Sequence, residues 1–118
     1  MKYLLMIYDS EQQEAQRKPA EMGAMLAEYG KFTESIRQSG HFLGGHRLRP
    51  TSDATTIRIR DGKTVTTDGP FAETREQLGG FYLVEAENLD DAIAIASRIP
   101  SARTGSIEVR PLWPPAAQ

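Results

Sequence analysis

The sequence contains no cysteine, and this absence excludes a disulfide framework and any zinc site built on thiolates. It also lacks an excess of charge of either sign, because 14 Lys and Arg residues stand against 16 Asp and Glu residues and give a net charge of -2. A charge this balanced draws a protein neither onto nucleic acid nor onto an anionic membrane. We therefore expect no direct nucleic-acid partner.

Long apolar runs are absent too. The longest one, near the N-terminus, covers about six residues, whereas a helix that spans a bilayer needs roughly 18. No basic segment followed by an apolar one, the pattern of a secretory signal, precedes it. These absences predict a cytoplasmic protein without membrane contact.

The signatures of cofactor sites are also missing. Gly44-Gly45 and Gly79-Gly80 lack the spacing of phosphate-binding loops, and no G-x-S-x-G elbow occurs. The two histidines, His41 and His46, have an odd separation, which places them on opposite faces of a regular strand, so that only a bulge at Gly44-Gly45 would let both reach one metal. We predict no cofactor and no metal.

What the sequence does contain is the composition of a compact protein. Its 118 residues are 39% hydrophobic and 25% charged. A chain of this length buries roughly two thirds of its unfolded surface, so it folds without a metal or disulfide staple. We predict one domain over residues 1–118.

The first half of the chain predicts a strand and a helix. Residues 2–8 are apolar and aromatic, and a polar loop follows over 9–18. Pro19 suits the first turn of a helix, and Gly40 suits its C-terminal stop. Apolar and aromatic residues recur between them at helical spacing, and most of this stripe is expected to be core: Met22, Met25, Leu26, Tyr29, Phe32 and Ile36.

The second half predicts mainly strands. A strand over 41–48 is interrupted by Gly44-Gly45, where a bulge or a close backbone approach is expected. The strands 55–60 and 63–67 flank Asp61-Gly62, the signature of a two-residue hairpin turn. The remaining predicted elements are a strand at 81–86, a helix at 89–99 capped by Asn88 and stopped by Pro100, and a strand at 106–113.

The order of these elements predicts the fold class. A β-α-β unit, an inserted β-hairpin and a second β-α-β unit give a ferredoxin-like α+β sandwich, with an antiparallel sheet and both helices on one face. The other face of the sheet is then bare, although several strands carry apolar residues on both faces. Covering it with a second copy predicts a two-fold homodimer.

A recognisable string runs from Thr67 to Glu76. Its core, Asp68-Gly69-Pro70-Phe71, followed by REQLGGFYLVEA and the closing GSIEVRPLW, resembles the YCII-related family, in particular the branch named for its DGPF motif. The resemblance covers nearly the whole chain and implies a dimeric α/β-barrel whose biochemical role is largely unassigned. It also suggests a regulatory setting, because members of this branch are often associated with extracytoplasmic-function sigma factors.

The sequence departs from the better-known members of that family at one place. The resemblance implies a His–Asp pair, with the histidine in the first helix and the aspartate just before a proline near the end of the second. Here the first helix has no histidine, and Ile99 precedes Pro100. The acid–base pair therefore does not carry over, which favours binding over catalysis.

The DGPF segment has a physical logic of its own. Pro70 fixes its own φ and restricts Gly69, so the turn is stiff. The carboxylate of Asp68 finds no N–H two residues on, because Pro70 has none. Two readings stay open: a rigid corner anchored by Phe71, or a ligand-facing carboxylate at a strand end.

Other candidate groups surround this segment in sequence. The guanidinium of Arg75 offers paired donors to a carboxylate or phosphate, although a solvated loop is the alternative. His46 is a candidate general base, with a surface histidine as the alternative. Tyr29 is able to present its hydroxyl to a cavity between sheet and helix.

Two functional hypotheses follow. The first is a protein that binds a small polar or aromatic molecule through Asp68, Phe71, Arg75 and Tyr29. If it is also an enzyme, proton transfer such as isomerisation or elimination is the least demanding chemistry, because it needs only a cavity and a base, Asp68 or His46. The second is a non-catalytic interaction module that contacts a sigma factor through residues 113–115 and the loop 9–18.

Overall fold

The computed structural model describes residues 1–115. The elements, in chain order, are β1 (Lys2–Asp9), α1 (Glu11–Ala15), α2 (Pro19–Gln38), β2 (Phe42–Arg47), β3 (Thr55–Arg60), β4 (Lys63–Asp68), β5 (Gln77–Glu85), α3 (Leu89–Ala96) and β6 (Ser106–Pro111). Short 3-10 turns occupy Thr51–Asp53 and Pro100–Arg103. The predicted single domain includes residues 116–118, which lie outside the described range.

Four strands form one antiparallel sheet in the order β2-β5-β1-β6. The chain order and the sheet order are those of a ferredoxin-like α+β fold, which confirms the predicted class. In β1 the alternation is strict, because Tyr3, Leu5 and Ile7 are buried while Leu4 and Met6 are only partly covered. The buried residues share one core with Phe32 and Ile36 of α2 and with Ala92 and Ile95 of α3. We call this sheet with α2 and α3 the body.

Several local predictions are confirmed. Pro19 lies in the first turn of α2, and Gly40 has φ 82° just beyond its end. The Asn88 side chain accepts a hydrogen bond from the Asp91 N–H at 2.9 Å and caps α3. At the hairpin turn, Asp61 and Gly62 have φ 52° and 73°, the two positive values that a type I′ turn requires.

Other boundaries differ from the predictions. Strand β5 begins at Gln77 rather than at Phe81, because its glycines join the sheet at a tight seam with β2. A Cβ on Gly80 would lie 2.8 Å from the His46 carbonyl oxygen, and one on Gly45 would lie 2.9 Å from that of Phe81. The close approach predicted at Gly44-Gly45 is confirmed, with a register shift between Phe42 and Gly44. Helix α3 ends at Ala96, and β6 ends at Pro111.

The hairpin of β3 and β4, residues 55–68, forms a separate two-stranded sheet that we call the arm. It gives the molecule a flat outline of 51 × 48 × 18 Å. Ile57 and Ile59 alternate with Arg58 and Arg60, as predicted, and pair with threonines of β4. Their side chains are nevertheless 63% and 58% exposed, so the apolar face of the arm is not covered within the protomer.

Candidate functional site

A cavity of about 930 Å³ lies between the sheet and the N-terminal half of α2. Phe32 and Ile36, in the C-terminal half of α2, are the buried residues of that helix, whereas its first turns stand off the sheet. The predicted core stripe is therefore only half correct, because Met22, Met25 and Leu26 line the cavity instead of filling the core. Further apolar walls come from Phe42, Leu48 and Leu78.

The deepest charge in the cavity wall is Asp9, at the end of β1. Its side chain continues the inward-facing row of that strand, and Asp9 is only 5% exposed. The carboxylate accepts hydrogen bonds from the Ser10 N–H at 3.0 Å and from the Thr104 hydroxyl at 2.8 Å. Arg17 Nη2 lies 3.8 Å from Asp9 Oδ2. Sequence reasoning missed Asp9, although its place two residues after Ile7 in an alternating strand was the available signal.

A second polar group in the wall joins α2 to the turn after α3. The Tyr29 and Ser101 hydroxyls lie 2.6 Å apart, and Ser101 is buried. Burial raises the pKa of Tyr29, and the hydrogen bond with Ser101 opposes part of that rise. These are the same two regions of the fold in which the resemblance implied a His–Asp pair. A neutral hydroxyl pair occupies them here.

A hydroxyl relay lies beside this pair. The Thr33 hydroxyl donates to the Tyr29 carbonyl oxygen at 2.9 Å, so the Tyr82 hydroxyl, 2.7 Å away, donates to Thr33. Burial raises the pKa of Tyr82 as well, with the contact to Thr33 acting against it. Both tyrosines therefore present protonated hydroxyl groups at neutral pH.

The segment predicted as a polar loop, residues 9–18, contains α1 and forms part of the cavity wall. It is tied to the body, because the Glu11 N–H donates to Gln77 Oε1 at 2.9 Å. The Glu11 carboxylate in turn accepts from the Thr51 hydroxyl at 2.6 Å and from the Thr51 N–H. This anchoring places Glu14 and Arg17 at the cavity.

Glu14 is partly buried in that wall. Burial is the main cause that raises its pKa, and the neighbouring Asp9 raises it further. Arg17 and Arg47 act in the opposite direction. The cavity therefore combines three carboxyl groups, four guanidinium groups and paired hydroxyls within apolar walls: the charged residues are Asp9, Glu11, Glu14, Arg17, Arg37, Arg47 and Arg49.

The sequence-predicted site residues are divided between two places. Tyr29 and His46 line the cavity, but the His46 ring lies 5.9 Å from that of Phe81, on the sheet face away from α2. Asp68, Phe71 and Arg75 are exposed at the base of the arm and in the segment before β5, and none of them lines the cavity.

The DGPF corner is held by its backbone. Gly69 has φ 95°, its N–H donates to the Ala54 carbonyl at 2.7 Å, and the Thr56 hydroxyl donates to the Gly69 carbonyl. Phe71 is 79% exposed and does not anchor the corner within the protomer. The predicted anchoring of the corner by Phe71 is therefore wrong within the protomer.

The two histidines do not converge. His41 Nδ1 lies 2.6 Å from the Ser39 hydroxyl and its Nε2 lies 3.6 Å from Asp91, whereas His46 is on β2. Within residues 1–115, no group of three or more His, Cys, Asp or Glu side chains has the arrangement of a metal site.

Comparison with known proteins identifies the family. A family model described as the YCII-related domain matches residues 1–115. The chain belongs to the YCII-related family. An uncharacterized protein of Rhizobium meliloti (strain 1021) is 37% identical over 114 residues, which cover 95% of this chain and 92% of the relative. The family predicted from the sequence is confirmed, and its DGPF branch stays a prediction.

Nothing in the described part of this YCII-related protein has the length and apolar character of a membrane-crossing helix. The cytoplasmic location stays a prediction from the sequence.

Proposed function

We propose that this YCII-related protein binds a small molecule in the cavity between the sheet and α2. The observation that carries the proposal is the pairing of buried polar groups, Asp9 and Tyr29–Ser101, with the apolar side chains of Met22 and Met25 across one space. Small-molecule sites typically have volumes of about 300–1,000 Å³ and combine apolar walls with a few placed polar groups. The 930 Å³ cavity agrees with both criteria.

If the bound molecule also reacts, proton transfer is the chemistry that these groups favour. The partly buried carboxyl group of Glu14, whose pKa is raised by burial, is a better proton acceptor than an ordinary carboxylate, and the tyrosine hydroxyls donate hydrogen bonds to developing negative charge. Isomerisation or elimination needs no further cofactor. The general base in this proposal is Glu14 rather than Asp68 or His46.

A fragment screen by ligand-observed NMR tests the binding proposal. Met25→Trp fills the space and is expected to abolish the saturation-transfer signals of the fragments that bind. Leu89→Trp, an exposed position of α3, is the matched control and is expected to leave those signals intact. Fragments that bind both variants equally would show that the cavity is not the site.

The sequence-based site of Asp68, Phe71 and Arg75 is proposed as a separate surface. Asp68→Ala is expected to leave fragment binding in the cavity unchanged, because the residue does not line it. A loss of those NMR signals in Asp68→Ala would instead join the two regions into one site.

Self-association is the second part of the proposal. On the sheet face opposite the helices, Leu4 pairs with Leu83 and Met6 pairs with Phe81, which makes an apolar strip across the two central strands. A second copy is the proposed cover for this strip. Met6→Glu is expected to convert a dimer to a monomer in light scattering, and an unchanged mass would refute this interface.

The alternative function is an interaction module that contacts a sigma factor. The exposed side chain of Trp113, at 95%, is the observation that favours it. Trp113→Ala is expected to abolish co-purification with a co-expressed extracytoplasmic-function sigma factor. Retention of the complex would show that Trp113 is not a contact with the sigma factor.

A further inference from the structure

The Arg17 guanidinium is an unusual group for a cavity wall. Its side chain is only 15% exposed, yet within residues 1–115 its one ion pair is the contact with Asp9, at 3.8 Å. That separation is too long for a hydrogen bond. A guanidinium carries five N–H donors, and leaving them unused in a poorly solvated place is costly. The donors of Arg17 are therefore available to a group inside the cavity.

Asp9 does not saturate Arg17, because its carboxylate is held at 3.8 Å from the guanidinium by other contacts. Oδ1 accepts from the Ser10 N–H, and Oδ2 accepts from the Thr104 hydroxyl. These contacts hold the carboxylate to β1 and to the turn before β6, at ion-pair distance from Arg17. Asp9 thus offsets part of the positive charge without occupying the donors.

A second guanidinium, that of Arg47 on β2, lines the same cavity. Within the described residues it forms neither an ion pair nor a side-chain hydrogen bond, in contrast to Arg49, which pairs with Asp53 at 2.8 Å. Two guanidinium groups on one wall, opposite the methionines of α2, match a molecule with an anionic head and an apolar body. Planar carboxylates suit guanidinium donors particularly well.

We propose that Arg17 and Arg47 bind the carboxylate of a small apolar carboxylic acid, and that Glu14 takes up a proton when it binds. This inference rests on the proposed function, because it names the ligand class of the same cavity. The acid's apolar body lies against Met22 and Met25. The proton on Glu14 removes the negative charge that would otherwise oppose the bound carboxylate.

The charged groups that face Glu14 give the sign of the pH dependence. Asp9 and Glu11 favour its protonated form, whereas Arg17 and Arg47 favour its charged form. A bound carboxylate engages the two arginines and adds a negative charge, so it favours the protonated form further. Affinity for the acid therefore rises as the pH falls through the pKa of Glu14.

Calorimetric titration with three probes of one shape tests the charge of the ligand. Phenylacetate is expected to bind, while phenylacetamide and phenethylamine are expected to bind at least about tenfold more weakly, the effect of losing a charge-assisted hydrogen bond. Arg17→Gln is expected to weaken phenylacetate by a similar factor and to leave phenylacetamide unchanged. Arg103→Gln, which removes a surface ion pair with Glu28, is the matched control and keeps the wild-type affinity.

Glu14→Gln provides a test that does not depend on the fold of an arginine variant. Wild-type affinity for phenylacetate is expected to increase as the pH falls through the raised pKa of Glu14, and the affinity of Glu14→Gln is expected to stay nearly constant. Circular dichroism checks that each variant is folded. An equal pH dependence in both proteins would overturn the role of Glu14.

The remaining outcomes separate this inference from the proposed function. Stronger binding of phenethylamine or equal binding of phenylacetamide would overturn the carboxylate assignment while the cavity remains a site. Stronger binding of phenyl phosphate would assign a phosphate ligand instead. If none of the probes binds, the inference fails, and the fragment screen with Met25→Trp decides the proposed function by itself.

Discussion

The body and the arm both place isoleucines on one face of a regular element, but that face is buried in the body and exposed in the arm. In the body, Ile36 of α2 and Ile95 of α3 are buried between two layers, and a polar exception such as Asp9 is hydrogen-bonded. In the arm, Ile57 and Ile59 alternate just as regularly, yet they face solvent within the protomer. Periodicity therefore indicates which residues share a face, and only the neighbouring layer decides whether that face is buried.

Replacing one isoleucine by alanine in each region compares their stabilities, and the substitution in the body has the largest expected effect of all. Ile36→Ala removes a fully buried side chain and is expected to lower the free energy of unfolding by about 2–5 kcal/mol. Ile59→Ala is expected to change it by less than about 0.5 kcal/mol in the isolated protomer. Urea unfolding measures both. A comparable loss for Ile59→Ala would show that a second copy covers the arm.

Glycine positions give the next comparison. Gly105→Ala puts a Cβ 2.0 Å from the Tyr8 carbonyl oxygen, so β1 and β6 must separate, and a loss of about 3 kcal/mol is expected. In Gly69→Ala the added Cβ meets no atom within 4 Å, and the only cost comes from the φ of 95°. The expected loss in the free energy of unfolding is about 1 kcal/mol. Thermal unfolding by calorimetry ranks the two. The reverse order would mean that the corner of the arm is the tighter constraint.

The hydroxyl pair in the cavity gives a smaller effect. Tyr29→Phe leaves the buried Ser101 hydroxyl without its partner and is expected to cost about 1 kcal/mol. Tyr8→Phe is the control, because the Tyr8 hydroxyl contacts only the Met6 sulfur, at 4.0 Å. Equal melting temperatures for the two variants would argue that solvent already satisfies Ser101.

Glu14 has the smallest expected effect on stability, with a defined sign. Its pKa is raised in the folded state, so its protonated form contributes stability that is fully present below the ordinary value of 4.5 and is lost as the pH rises through the folded pKa. Glu14→Gln is expected to raise the melting temperature slightly at pH 7 and to leave it unchanged at pH 4. Glu73→Gln, an exposed carboxyl in the segment before β5, serves as the control.

A melting temperature of Glu14→Gln that falls at pH 7 would show that the attraction between its charged form and Arg17 and Arg47 outweighs the effect of burial. A group that weakens the fold at neutral pH and lines a cavity is the type of residue that active and binding sites retain.

Most of the fold could be predicted from the sequence because its signals are local. Pro19, Asn88 and Asp61-Gly62 act within a few residues of themselves, and the alternation of β1 needs only one strand. The start of β5 could not be predicted, because Gly79 and Gly80 have weak strand propensity and only the tight packing of Gly80 against β2 shows why a glycine is needed there.

The candidate site depends on contacts that no local pattern contains. Asp9 meets Thr104 across 95 positions, and Tyr29 meets Ser101 across 72. The prediction of Asp68 rested on a stiff turn, and the stiffness of a turn does not determine where the arm points. The position of Tyr29 at the cavity could be predicted, because a residue in the apolar stripe of a helix must face the sheet against which that helix packs.

The central place of β1 has a consequence for the order in which the protein is made. Both of its partners, β5 and β6, are synthesised long after it, whereas the two strands of the arm are adjacent in sequence. The arm is therefore able to pair as soon as it leaves the ribosome, while Leu5 and Ile7 wait without a cover until Ser106–Pro111 emerges. During that interval the apolar side chains and unpaired edges of the first strand are open to aggregation.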